Sequence, residues 1–221
     1  MNVIEALQAR HSTRAYKPKA VDRTTIIKIL EAANHSPSWA NTQPWEFFVA
    51  TGEPLNRLRQ RFLENFKKGV TPSTDIPVPK YWPEAHKKRI QKMGDERLAA
   101  LGIDPNDKEA RNKMTENNFR FFDAPVVIYA CMDRNLSSWS LYDMGLVSQS
   151  LMLAAQHYGL NTIPAVLLVA YPDLIRQELN IPEELAIVIG IALGYGDPDS
   201  IYNKYITSRR PVEEFVRIIG E

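Results

Sequence analysis

Ser36-Pro37-Ser38-Trp39-Ala40-Asn41-Thr42-Gln43-Pro44-Trp45, followed at once by Glu46-Phe47-Phe48-Val49-Ala50, is a polar turn set between a helical pattern and a strand. Its two prolines fix φ and withdraw two backbone donors, so the turn is expected to hold one shape. Small hydroxyls, two carboxamides and two indoles within ten residues suit the grip of a flat heteroaromatic ligand with polar edges. A well-ordered helix-to-strand connection with an aromatic plug accounts for the same residues equally well.

Working outward, Asp22 caps an expected helix whose apolar face is Ile26, Ile27, Ile29, Leu30 and Ala33. Before it, Val3, Ile4 and Leu7 share a helical face that breaks at Arg10-His11-Ser12-Thr13-Arg14. After the turn, residues 47–51 read as a strand closed by Gly52. Leu55, Leu58, Phe62 and Phe66 then recur at helical spacing, with Arg57, Arg59 and Arg61 expected to face outward. Four prolines make residues 69–83 an extended loop, and two charged helical stretches follow at 84–101 and 107–122. The whole span 69–114 reads as an excursion from the core that shapes the entrance to a site.

Residues 124–132 and 185–195 are near-continuous apolar runs, the mark of buried strands, which makes Cys131 a core residue. Between them, residues 141–158 form a long helix apolar on most sides, ended by Gly159, and residues 171–179 form a shorter one. Val212, Phe215, Val216, Ile218 and Ile219 in the tail require a partner surface. Interleaved helices with few strands indicate one α+β domain over residues 1–221, built on a small central sheet.

Composition narrows the chemistry. Lys+Arg 27 against Asp+Glu 26 gives no global case for nucleic acid or an acidic membrane surface, so any anion site is local. One cysteine in 221 residues excludes intrachain disulfides and favours a reducing, cytoplasmic setting. Met1-Asn2-Val3-Ile4-Glu5 lacks the basic and apolar regions of a signal peptide, and no apolar run approaches the ~18 residues of a membrane span. The four histidines are scattered without ligand spacing, so no metal centre is expected. G-x-S-x-G, G-x-G-x-x-G and G-x-x-x-x-G-K-[ST] are all absent.

A phosphate can still be held by arginines and hydroxyls. Arg10, Ser12 and Arg14 alternate in an extended turn and can converge on one side, as can Thr207 and Arg209. Two ordinary surface clusters remain the alternative. Trp45 is better placed as a core anchor than as a ring-stacker. Asp143 can touch a cofactor or substrate, or can simply cap and pair locally.

Arg10-His11-Ser12-Thr13-Arg14, Pro37-Ser38-x-x-Asn41-x-Gln43-Pro44-Trp45 and the late Asn203…Thr207-x-Arg209 together resemble the FMN-dependent nitroreductase family. Phe121-Phe122-Asp123-Ala124-Pro125 and Leu193-Gly194-Tyr195-x-Asp197-Pro198 extend the likeness in the right order over essentially the whole chain. The long excursion resembles the nitrobenzoate-reductase-like subgroup. The resemblance implies a mainly antiparallel sheet flanked by helices, in an intertwined homodimer whose C-terminal extension is exchanged between subunits.

It also implies FMN at the subunit interface, with NADH or NADPH as electron donor and a small electron-poor acceptor such as a nitroaromatic or quinone. By it, Arg10, His11, Ser12, Arg14, Thr207 and Arg209 contact the phosphate and ribityl chain. Pro37, Ser38, Trp39 and Asn41 approach the ring from the other subunit, while Asn117 and Arg120 meet its edge. Pro164, Ala165, Val166 and Leu167 run past flavin N5, where some relatives carry an acidic residue and a glycine. Flavin N5 carries the chemistry, so no catalytic side chain is implied. The same scaffold admits reductive dehalogenation, flavin breakdown, or flavin binding with little turnover.

Overall fold

The computed structural model describes residues 2–220; Met1 and Glu221, the outer limits of the expected 1–221 domain, lie outside them. Among the described residues the chain forms α1 (Val3–Ala9), α2 (Arg23–Ala33), β1 (Glu46–Thr51), α3 (Gly52–Lys67), α4 (Glu84–Ala100) and α5 (Lys108–Phe119). It continues as β2 (Val126–Asp133), α6 (Ser138–His157), β3 (Asn161–Ala165), α7 (Pro172–Leu179) and β4 (Leu185–Gly194). The four strands make one antiparallel sheet in the order β1-β2-β4-β3. The expected α+β class is borne out.

Side-chain alternation along β2 builds the two cores. Val127, Tyr129 and Cys131 point into one, with Leu55, Leu58 and Phe62 of α3 and Ile175 of α7. Val126, Ile128, Ala130 and Met132 point into the other, with Ile26 and Ile29 of α2, Val147 and Leu151 of α6, and Trp45. Trp45 is a core anchor, its indole N–H donating to Asn34 Oδ1 at 3.0 Å. Asp22 caps α2 by accepting from the Thr25 amide at 3.2 Å. Gly159, at φ 69°, ends α6 in the left-handed conformation that glycine adopts without strain.

Strand β3 was not expected from the sequence. It is five residues long with Pro164 in it, and proline is tolerated in a sheet only where no ladder donor is needed. An edge position meets that condition: β3 pairs with β4 on one side and on the other meets the turn at Ser12 and Thr13 through Thr162 alone among the described residues.

The helix expected to reach residue 122 stops at Phe119, because Phe121, Phe122 and Asp123 turn left-handed at φ 55°, 56° and 55°. Each such residue costs roughly 1–2 kcal/mol. Burial of two phenyl rings returns about as much at roughly 1.5–3 kcal/mol each, and Phe121 packs edge-on to Phe62 at 4.8 Å. Arg59 completes the balance. Contrary to expectation it folds onto the protein, donating to the Arg120 and Ala124 carbonyls at 2.9 Å each. Arg57 pairs with Glu178 at 2.6 Å, and Arg61 donates to Gln177 at 2.8 Å.

The start of the excursion is fastened to the core. Asp75 accepts from the Ile187 amide at 2.8 Å and from Arg134 at 3.0 Å, and it pairs with the buried Arg176. By contrast, Val3, Ile4 and Leu7 of α1 and Ile206, Val212, Phe215, Val216, Ile218 and Ile219 of the tail are exposed.

Candidate cofactor site

The turn at residues 10–14 leaves α1 and runs along the free edge of β3, where the Thr13 amide donates to the Thr162 carbonyl at 3.1 Å. Asn203, near the other end of the chain, clamps it. Its carboxamide oxygen accepts from the Arg14 and Ala15 amides at 2.6 and 3.2 Å, and its nitrogen donates to the Ala15 and Asp197 carbonyls at 2.8 Å each. Asn117 of α5 donates to the Arg14 carbonyl at 3.0 Å. Gly196 lies so close behind the turn that an added Cβ would come within 2.7 Å of Asn161 Oδ1. Residues expected to share the site from both ends of the sequence are therefore joined in one place.

The charges gathered there are uncompensated. Among the described residues, Arg10, Arg14, Arg97 and Arg209 form no ion pair. Among the described residues the Arg14 guanidinium donates only to the Ser12 carbonyl, at 3.1 Å. Burial and then the neighbouring Arg97 pull Arg14 down to about 10, which leaves it cationic at neutral pH. Burial and then Arg209 lower Arg10. Arg209 bonds within its own segment, to the Thr207 hydroxyl at 2.8 Å. Guanidiniums that no carboxylate pairs are the donor set a phosphate dianion requires. The residues present fit such a group.

Other expected residues fall into distinct roles. His11 Nδ1 lies 3.0 Å from the Ala9 carbonyl, so its ring closes the end of α1. Pro164 and Ala165 finish β3, and Val166 and Leu167 open the short turn Val166–Val169, with Val166 exposed. Arg120 lines a cavity of about 490 Å³ with Arg14, Tyr16, Asn117, Phe122 and Tyr202, but its guanidinium is paired with Asp123.

Residues 37–41 lie elsewhere, and among the described residues no hydrogen bond joins them to residues 10–14. The Trp39 amide donates to Asp143 at 3.2 Å and the Gln43 amide to Ser38 Oγ at 2.9 Å. Asp143, 3% exposed on α6, thus caps this turn, the local alternative of its two roles. Ala40, Asn41 and Gln43 are left-handed at φ 50°, 56° and 47°. Trp39 is 64% exposed and stands edge-on to Trp139 at 5.9 Å, over a shallow pocket shared with Tyr142 and Leu146.

Two participants were missed. Asn203 stood in a recognised motif, but its four-bond geometry shows only in three dimensions. Arg97 sits in a helix crowded with Lys87, Lys88, Arg89 and Lys92, and nothing local in the sequence separates it from them.

A sequence profile described as the nitroreductase family matches residues 7–195. The chain belongs to the nitroreductase family. It is 33% identical to the nitrobenzene nitroreductase of Ectopseudomonas oleovorans, over 98% of this chain and 96% of that one. It is 33% identical to the 4-nitrobenzoate reductase of Pseudomonas putida, over 96% and 93%. Its fold superposes with a TM-score of 0.92 on the FMN-dependent nitroreductase NfnB from Mycobacterium smegmatis in complex with NADPH, at 29% identity over 97% of this chain and 96% of that one. Among the described residues no helix is long and apolar enough to cross a membrane.

Proposed function

We propose that two copies of this chain build an FMN site and use it to pass electrons from NADPH or NADH to nitroaromatic, quinone or related electron-poor acceptors. The observation that carries this reading is the unpaired arginine set: the Asn203 clamp fastens the Arg14 backbone at the strand edge, and Arg10 lies where the charge of Arg209 reaches it. Arg10, Arg14 and Arg209 hold the phosphate with charge-assisted bonds, and the Ser12 and Thr207 hydroxyls add neutral ones. His11 contributes through its main chain. Asn117 on α5 and Arg120 just past its end stand where the ring edge belongs. Val166 and Leu167 have no polar side-chain atoms, so residues 164–167 meet the ring through the backbone. FMN, when bound, supplies the two-electron centre, and no side-chain nucleophile is needed.

The second copy is required by two features. Residues 37–41 lie apart from the arginine set within one chain, and they complete the site from the partner. The apolar faces of α1 and the tail are uncovered, and an exchanged C-terminal extension covers them. The excursion at 69–114 borders the site through α4 and α5. The single buried thiol, Cys131, supports a reducing, cytoplasmic setting. Nitroaromatic acceptors are favoured by the names of the relatives that match over nearly the full chain.

The purified protein is expected to be a yellow dimer, bleached anaerobically by NADPH or NADH and recoloured by 4-nitrobenzoate. A colourless monomer indifferent to FMN refutes the reading. A yellow protein that reduced nicotinamides cannot bleach leaves flavin binding without turnover, and one recoloured only by haloaromatics is a dehalogenase.

A further inference from the structure

Two arginines of the site each feel the charge of another: after the larger effect of burial, Arg209 lowers Arg10 and Arg97 lowers Arg14. Arg97 belongs to the last turn of α4, inside the excursion. The residue before it, Glu96, accepts from the Tyr205 hydroxyl at 3.0 Å, and the residue after it, Leu98, is buried. This end of α4 is therefore fixed against the segment that leads to Thr207 and Arg209. Tyr202 and Tyr205 are the other ionisable neighbours of Arg97. Its Nη2 is buried and has no hydrogen-bond partner.

A buried, unused donor on a half-buried cation, near a second cation, is unfavourable unless something accepts from it. Both tyrosines present a hydroxyl and not a carboxylate. Two guanidiniums within reach of each other's charge suit an anion with several acceptor oxygens. We propose that Arg97 is a phosphate-binding residue of the FMN site, donating beside Arg14 to the same dianion. The proposal rests on the FMN reading above and extends it: helix α4 of the excursion grips the cofactor as well as bordering its entrance.

The test titrates the full-length chain, stripped of flavin, with FMN and with riboflavin, following flavin fluorescence for wild type, Arg97→Met, Arg97→Lys and Arg14→Met. Arg97→Met is expected to weaken FMN by about tenfold or more, as for a lost bond to a charged group, and to leave riboflavin within about twofold. Arg97→Lys recovers part of the loss. Without flavin, Arg97→Met melts no lower than wild type, because it removes a half-buried charge that no carboxylate pairs among the described residues. Unchanged FMN binding in Arg97→Met, with a loss in Arg14→Met, overturns the proposal and leaves the phosphate site standing. Equal losses for FMN and riboflavin overturn it too, since Arg97 then acts through the fold. A raised KM for NADPH alone, with FMN affinity intact, overturns it by moving the anion to the donor's extra phosphate. If Arg14→Met also binds FMN normally, the FMN reading itself falls.

Discussion

Replacing Asn203 by alanine removes four hydrogen bonds of 2.6–3.2 Å at once. At a net ~0.5–1.5 kcal/mol each, and with the partly buried turn able to rehydrate in part, the loss is about 2–4 kcal/mol. That is a large share of the roughly 5–15 kcal/mol that holds a typical domain folded. The loss also reaches the cofactor site, because the Arg14 amide is one of the freed groups and binding must then order the turn. If about 2 kcal/mol of that ordering falls on the binding step, FMN affinity drops about thirtyfold. Asn203→Asp restores an acceptor for both amides but turns a carboxylate toward the Ala15 and Asp197 carbonyls, so it recovers less than half. The assay is urea unfolding at fixed protein concentration with and without FMN, beside a flavin titration. A variant within about 0.5 kcal/mol of wild type and within about twofold in FMN affinity refutes the clamp.

Two further expectations follow from buried groups. Asp75→Ala leaves Arg176, 5% exposed, with only the exposed Glu183 at 3.6 Å as a carboxylate partner and is expected to lose about 3 kcal/mol, read as a shifted urea midpoint; adding Arg176→Met recovers part of it. Burial pushes the Cys131 thiol up to about 12 from an ordinary 9.0, so its contribution to stability is complete below pH 9 and is lost as pH rises toward 12. By pH 10 that loss is about 1.4 kcal/mol, and in Cys131→Ala this component of the pH dependence vanishes from unfolding curves measured between pH 8 and pH 10.

Much of this was legible because the relevant signals are local. Asp22 before an apolar face and the unbroken run from Val126 to Met132 declare their elements in a few residues. Strand β3 did not, because Pro164 contradicts the strand pattern and only an edge position reconciles the two. The end of α5 was hidden for a different reason: three consecutive left-handed residues are tolerated there through the burial of Phe121 and Phe122 and the reach of Arg59, a residue 61 positions from Arg120. At the site, the arginine and hydroxyl alternation at both ends of the chain was visible in outline. Which arginine opposes which was not, since Arg97 joins Arg14 through tertiary packing alone. Asp143 had two readings from sequence, and its bond to the Trp39 amide favours the capping one.

The Asn203 clamp also sets an order of events in the cell. The turn at residues 10–14 emerges early in translation, yet its fastening arrives 189 positions later than Arg14. A nascent chain halted anywhere before that point displays loose arginines and has no finished receptacle for the coenzyme. On the proposed reading, flavin loading would wait until synthesis has passed Asn203 and Arg209.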